Sequence, residues 1–375
     1  APFSPPAETA ALFPISGYAL WWSHSPVPAQ TVVAWANHLQ HGHKHADEPS
    51  LNIWSRGYAW ITGTGYWPYG LEGFAEANGW AGSNAPHSMN EPAGSHRQAR
   101  LRGAGNEGPL RVADIEVCRR SGMCVRRQVV QLSAEQLIIV DETSNSDATQ
   151  ETLWTTDPRL TLRQIGKLNF ASSTTETGQE LHIALAGNVD PEVALLRGSM
   201  TPFAGWVVSK GSPRPADAIR VTYRGADVAT ATLIEVTELL NVLSLQSFSR
   251  KDSEDWRVAL THSQGDVIVE RKGRNVSIKK SSETSSVTFT EPPEITERQV
   301  ALRSAMKKAL HRYPPWRDLS AYHFRLLVLI ALLWLVTEVG ILALRNSIRQ
   351  QTWLQLSPLA GWIALALWIH YSYLT

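Results

Sequence analysis

The segment Asn37-His-Leu-Gln-His-Gly-His-Lys-His-Ala-Asp47 runs straight into Glu48-Pro-Ser-Leu-Asn-Ile-Trp-Ser-Arg-Gly-Tyr-Ala-Trp-Ile-Thr62. Two short β-rich runs, Leu51–Trp54 and Tyr58–Thr62, follow the histidines and are parted by a turn at Gly57. Four of the chain's twelve histidines fall in the eight positions from His38 to His45. Extended backbone sends alternate side chains to one face, so His41, His43, His45 and Asp47 point together and Lys44 points away. Neutral imidazole is a base, a hydrogen-bond partner and a metal ligand, and it titrates near working pH. Few folding needs call for three histidines and an aspartate on one stripe.

The same texture extends outward. From about Leu12 to Glu291, short β-rich runs alternate with clusters of Gly, Pro, Asn, Asp and Ser. Thr31–Ala36, Arg126–Leu132, Gln136–Val140, Glu180–Ala184, Ala218–Tyr223, Thr230–Val236, Asp266–Glu270 and Val276–Lys280 are examples. No helical period of comparable length interrupts them. The fold class is mainly β: a large antiparallel β-sandwich or a set of stacked sheets. The formal net charge of +1 gives no global field for nucleic acid, and no phosphate loop or nucleotide-binding glycine pattern follows a strand.

Of the 15 tryptophans, seven lie between Trp21 and Trp80. Aromatic rings with a polar edge line sugar clefts, and they also pack sheet cores. Tyr66, Trp67 and Tyr69, in Gly65-Tyr-Trp-Pro-Tyr-Gly70, are the candidates for sugar contact. The two cysteines, Cys118 and Cys124, flank a Ser121-Gly122 turn. A hairpin there could join them as a disulfide in an oxidising compartment; in a reducing one they are two thiols.

The ends differ from the middle. Residues 1–11 open on Ala1-Pro-Phe-Ser-Pro-Pro6 and read as a linker. Past Pro292-Pro293, residues 292–325 contain a helical period with a basic face at Glu297–His311, the pattern of a juxtamembrane helix. Leu326–Leu344 carries one ionisable side chain, Glu338, and is long enough to cross a bilayer. After Arg345–Gln351 the chain turns apolar again, with Trp353, Trp368, Tyr371 and Tyr373 near the ends of that stretch. Residues 326–375 thus read as a two-helix transmembrane hairpin, the alternative for the second helix being a buried or re-entrant segment broken at Pro358. Glu338 either reaches Arg345, faces Gln355 and Ser357 on the second helix, or contacts a partner membrane protein. Arg345 and Arg349 favour a cytoplasmic loop, whereas Lys307, Lys308, Arg312, Arg317 and Arg325 argue the other way. The cysteine pair and the sugar-cleft reading place the β domain on the periplasmic side of a bacterial inner membrane.

Taken together, Leu12-Phe-Pro-Ile-Ser-Gly-Tyr-Ala-Leu20, His43-Lys-His-Ala-Asp-Glu-Pro-Ser-Leu51, Gly57, Gly63-Thr-Gly65 and Pro86-His-Ser88 resemble the C-terminal β domain of heparinase II/III-like polysaccharide lyases. Arg126-Arg-Gln-Val-Val130, Leu137-Ile-Ile-Val-Asp141 and Gly205-Trp206 extend the resemblance to about residue 240. It implies that residues 12–291 form that domain, which in the family packs beside an α/α toroid and cleaves uronate-containing polysaccharides by β-elimination. It implies that His43 is the catalytic histidine, and that His45 and His87 ligate a structural metal, usually zinc. Thr62 stands where the family carries its metal-binding Asp; Asp47 and Glu72 are the nearby carboxylates. His38 and His41 have no counterpart role.

Two functions follow as expectations. The first is a membrane-anchored lyase half, acting on an acidic polysaccharide in its synthesis, modification or export, and completed by an α/α toroid in cis or in trans. The second is a non-catalytic carbohydrate-binding or scaffold subunit of an envelope complex.

Overall fold

The computed structural model describes residues 9–14, 16–24, 27–35, 45–95, 97–238, 243–262, 265–280 and 283–292. The juxtamembrane helix, the transmembrane hairpin, His38, His41 and His43 lie outside the described residues. Among those described, no helix is long and apolar enough to cross a membrane.

The chain enters as a five-stranded antiparallel meander in sequence order: β1 (Ala10–Phe13), β2 (Tyr18–Ser23), β3 (Ala29–Ala34), β4 (Ser50–Ser55) and β5 (Tyr58–Ile61). β1 begins at Ala10, inside the stretch read as a linker. Its inward residues, Ala10 and Leu12, already pack against the core. The strands alternate as a half-buried sheet requires: Leu51, Ile53 and Ser55 of β4 point in, while Asn52 and Trp54 point out. A short helix, α1 (Phe74–Asn78), and a 3₁₀ turn at Trp80–Gly82 follow. Then come β6 (His87–Ser88), β7 (Arg97–Glu107), β8 (Leu110–Arg119), β9 (Cys124–Ser133), β10 (Gln136–Ser144) and β11 (Gln150–Thr155).

β7 to β10 form one half of an eight-stranded sheet. Asp227–Thr237 pairs with β10, and Glu180–Gly187, Asn169–Ser172 and Leu162–Gly166 continue outward from it. Strands β9 and β10 are buried almost end to end, on both faces. The reason is a stack of layers. One face packs Ile115, Val129, Ile139 and Ile234 against Trp21, Leu51, Ile53 and Trp60 of the first sheet. The other packs Val130, Ile138, Val140 and Leu233 against Trp256, Val258, Val269 and Val276. Those last residues belong to a second five-stranded meander running from Ser244 to Thr288. A smaller four-stranded sheet joins β6 and β11 to Asp217–Tyr223 and Glu192–Arg197.

At the β8–β9 hairpin, Gly122 takes a positive φ of 93° in the turn, a conformation that suits glycine. Cys118 and Cys124 sit opposite one another in the ladder and are joined by a disulfide.

Candidate functional site

The segment entering β4 is tied down residue by residue. Ala46 N–H donates to Asn78 O at 3.0 Å, and Ser83 Oγ donates to Ala46 O at 3.1 Å. The Glu48–Pro49 peptide is cis. The Asn84 side chain mimics a neighbouring strand: its Oδ1 accepts from Leu51 N–H at 2.9 Å and its Nδ2 donates to Leu51 O at 2.7 Å. Gly63 and Gly82 let two backbones meet. A β-carbon on Gly63 would lie 2.8 Å from Gly82 O, and one on Gly82 would lie 1.9 Å from Ala77 O.

These constraints shape a polar cleft of about 180 Å³, lined among others by His45, Asp47, Ser50, Asn52, Thr62 and Asn84. Its lining residues include a histidine, an aspartate, hydroxyl residues and an exposed asparagine, residue types suited to hydrogen-bonding a polyhydroxylated ligand. Asn52 and Asn84 carry no signal of their own in the sequence. They are found only once the alternation of β4 and the return of the chain at Ser83 are known.

Gly65 also lines the cleft, and the aromatic loop starts at the next residue. Tyr66 and Tyr69 stand exposed, at 55% and 63%, with their rings edge to face at 5.8 Å. Trp67 does not join them. It is 3% exposed, packs edge-on against Phe203 and Trp206, and donates its indole N–H to Glu72 O. The expectation that Trp67 touches sugar is therefore corrected. The chain turns at Pro68, with Leu71 N–H 3.4 Å from Pro68 O; the indole packs into a local core and the two tyrosines stay exposed.

His87 is buried. Its ring stacks on Trp80 at 5.6 Å, nearly parallel. Nδ1 lies 3.0 Å from Ala85 O, which can only accept, so the proton of that bond is on the ring. Nε2 lies 3.6 Å from Glu151 Oε1, and Glu151 also accepts from Arg220 Nε at 2.6 Å. Burial pushes the Glu151 carboxyl up. Hydrogen bonds and charge from His87 and Arg220 outweigh that and hold it below the ordinary carboxylate range.

The family described as heparinase II/III-like, C-terminal, matches residues 5–305. The chain belongs to this family. Solved structures similar to this heparinase II/III-like domain include a heparinase III gene product. That match has 15% identity and a TM-score of 0.60 over 72% of this chain and 43% of that one. A heparan sulfate lyase from Pedobacter heparinus matches at 12% identity and a TM-score of 0.56, over 71% and 42% of the two chains. A further heparinase III matches at 13% identity and 0.56, over 76% and 43%. At such identities the likeness is one of fold, and the chain spans less than half the length of these structures. Among curated proteins no relative matches the sequence.

The metal that the heparinase II/III-like resemblance implies does not fit the residues described. Zinc takes three or four nitrogen, sulfur or carboxylate ligands. Thr62 offers a neutral hydroxyl, which donates to Gly63 O at 3.1 Å. Both ring nitrogens of His87 face protein acceptors. Glu72 is exposed on the aromatic loop, and the Glu48 carboxylate next to Asp47 is taken up by Arg97 at 2.9 Å. Among the described residues, no three His, Cys, Asp or Glu side chains are grouped to hold a metal ion.

Proposed function

We propose that this chain is the β half of a polysaccharide lyase acting on an acidic, uronate-containing glycan. The observation that carries the reading is the cleft itself. The family's His-x-His-Ala-Asp-x-x-Ser stretch delivers His45, Asp47 and Ser50 to its wall, with Asn52 and Asn84 beside them. In β-elimination a base removes the proton at C5 of the uronate, the C4–O bond breaks, a C4=C5 double bond forms, and the leaving oxygen takes a proton. His43, two residues before the described wall, is the base or acid on this reading. A helical α/α half, in cis or in trans, supplies the remaining catalytic groups. The apolar stretches after Leu326 anchor the assembly in a bilayer, with the β domain on the periplasmic side, where it serves polysaccharide synthesis, modification or export.

The test is release of unsaturated uronate, followed by ultraviolet absorbance, from the chain together with its helical half. His43→Ala should lower the rate by at least about 100-fold, the scale of a lost acid–base group. Equal rates in the two proteins would remove His43 from the mechanism. The exposed Tyr66 and Tyr69 favour a second reading, a glycan-binding subunit without catalysis. Retained binding of acidic glycan with no unsaturated product would select it.

A further inference from the structure

A metal bound by His45 and His87 would cross-link two segments: the one entering β4, residues 45–49, and the one entering β6, residues 85–87. In this chain both segments are instead held by buried arginines. Arg97 Nη2 reaches His45 O at 3.5 Å, and Arg97 Nε donates to Glu48 Oε2 at 2.9 Å. Arg127 Nη1 donates to Pro49 O at 3.0 Å and to Asn84 Oδ1 at 3.0 Å, while its other nitrogens grip Asp141 through two bonds of 2.7 Å. Arg119 Nη2 donates to Pro86 O at 3.0 Å and pairs with Glu91 at 3.1 Å. Each arginine therefore has its own carboxylate and puts a spare donor on a backbone carbonyl of one segment. The planar guanidinium, with five donors, can do both at once.

The two segments also meet through one ring. Ala46, Trp80 and Ala85 form a buried apolar cluster. Arg97 and Arg119 lie over the Trp80 ring, at 4.6 and 5.0 Å from its centroid, and His87 stacks on it. A desolvated cation over an indole adds attraction to packing. Trp80 thus joins the two segments through one ring.

We infer that this arginine–carboxylate brace, closed around Trp80, takes the place of the structural metal in fixing the backbone that presents His45 and Asp47 to the cleft. Arg97, Arg119 and Arg127 are positioning residues. The inference does not depend on whether the cleft is catalytic.

The test uses the full-length chain, purified with its membrane segment. Wild-type protein should carry less than about a tenth of an equivalent of zinc. Incubation with a strong zinc chelator should leave its melting temperature and the amide exchange of residues 45–51 unchanged. Arg97→Met should speed exchange at residues 45–51 by at least about tenfold while β9 and β10 keep their protection, since local opening is read separately from the core. Added zinc should not restore it. If Arg97→Met does not fold, Glu48→Gln weakens the same pair more gently and should give the same local pattern. A zinc equivalent in wild type, loss of protection at 45–51 on chelation, or unchanged exchange in both variants would each overturn the inference.

Discussion

Glu142, on β10, shows how single residues set conditions for this fold. It is buried, and its partner Arg250 lies 3.5 Å away while also pairing with Asp227. Among the described residues, neither Glu142 Oε1 nor Arg250 Nε has a hydrogen-bond partner. Burial pushes the Glu142 carboxyl up to about 7, against the pull of Arg250 and Arg126. A carboxyl raised on folding stabilises the native state when protonated. Its contribution is complete below the unfolded value near 4.5 and is lost as pH rises through about 7. Glu142→Gln, a permanent mimic of the protonated form, should therefore be more stable than wild type at pH 8, by up to about 3 kcal/mol. The two proteins should converge toward pH 5. Urea unfolding at both pH values measures this, and a Gln variant less stable than wild type at pH 8 would refute it. None of this was legible in the sequence. A Glu in a strand reads as solvent-facing by alternation, and only the covering of both sheet faces makes it buried.

At the scale of elements, the strands were legible because their alternation and their Gly, Asn and Asp punctuation are local. Leu51–Trp54, Gln136–Val140 and Val276–Lys280 all fall inside observed strands. What alternation hides is burial on both faces. Arg127 is fully buried within β9 on the same face as Val125 and Val129, where alternation points it inward but a charged side chain does not read as part of a core face. The charge of Arg97 and Arg127 hides their cleft-holding role, although Arg126-Arg127 carries part of the family resemblance. The β8–β9 hairpin was readable at its turn and has a consequence for location. Its Cys118–Cys124 bridge is half-buried and sits on strands that pair for most of their length, and the periplasmic placement proposed above would keep it oxidised. In cells with a permeabilised outer membrane, an impermeant thiol reagent should label these cysteines after reduction and leave them unlabelled before it. Labelling without reduction, or none until the inner membrane is lysed, would place the hairpin elsewhere.

For the whole molecule, the motif resemblance stops near residue 240, yet the strand pattern runs on to Glu291 within the same β domain. The layers show what the last five strands do. The sheet from Ser244 to Thr288 covers Val130, Ile138, Val140 and Leu233 of the middle sheet. It also supplies Arg271 to Asp114 at 2.8 Å, and the Trp256 indole N–H to Gln128 Oε1 at 2.8 Å. Burial pushes the Asp114 carboxyl up, yet Arg126 and Arg271 together hold it below the ordinary range. Without the last sheet, an apolar face and half of a buried charge network are opened to water at once. Exposed apolar area on that scale leads to association rather than to a smaller stable domain. A chain ending at residue 238 should elute as aggregate and lack a cooperative melt, whereas one ending at residue 292 should be monodisperse and melt in a single transition. Calorimetry with size-exclusion chromatography decides between them. A cooperative, monomeric 1–238 would show that the middle sheet stands without its cover, and that the fold is two sandwiches in series rather than one stack sharing its central layer.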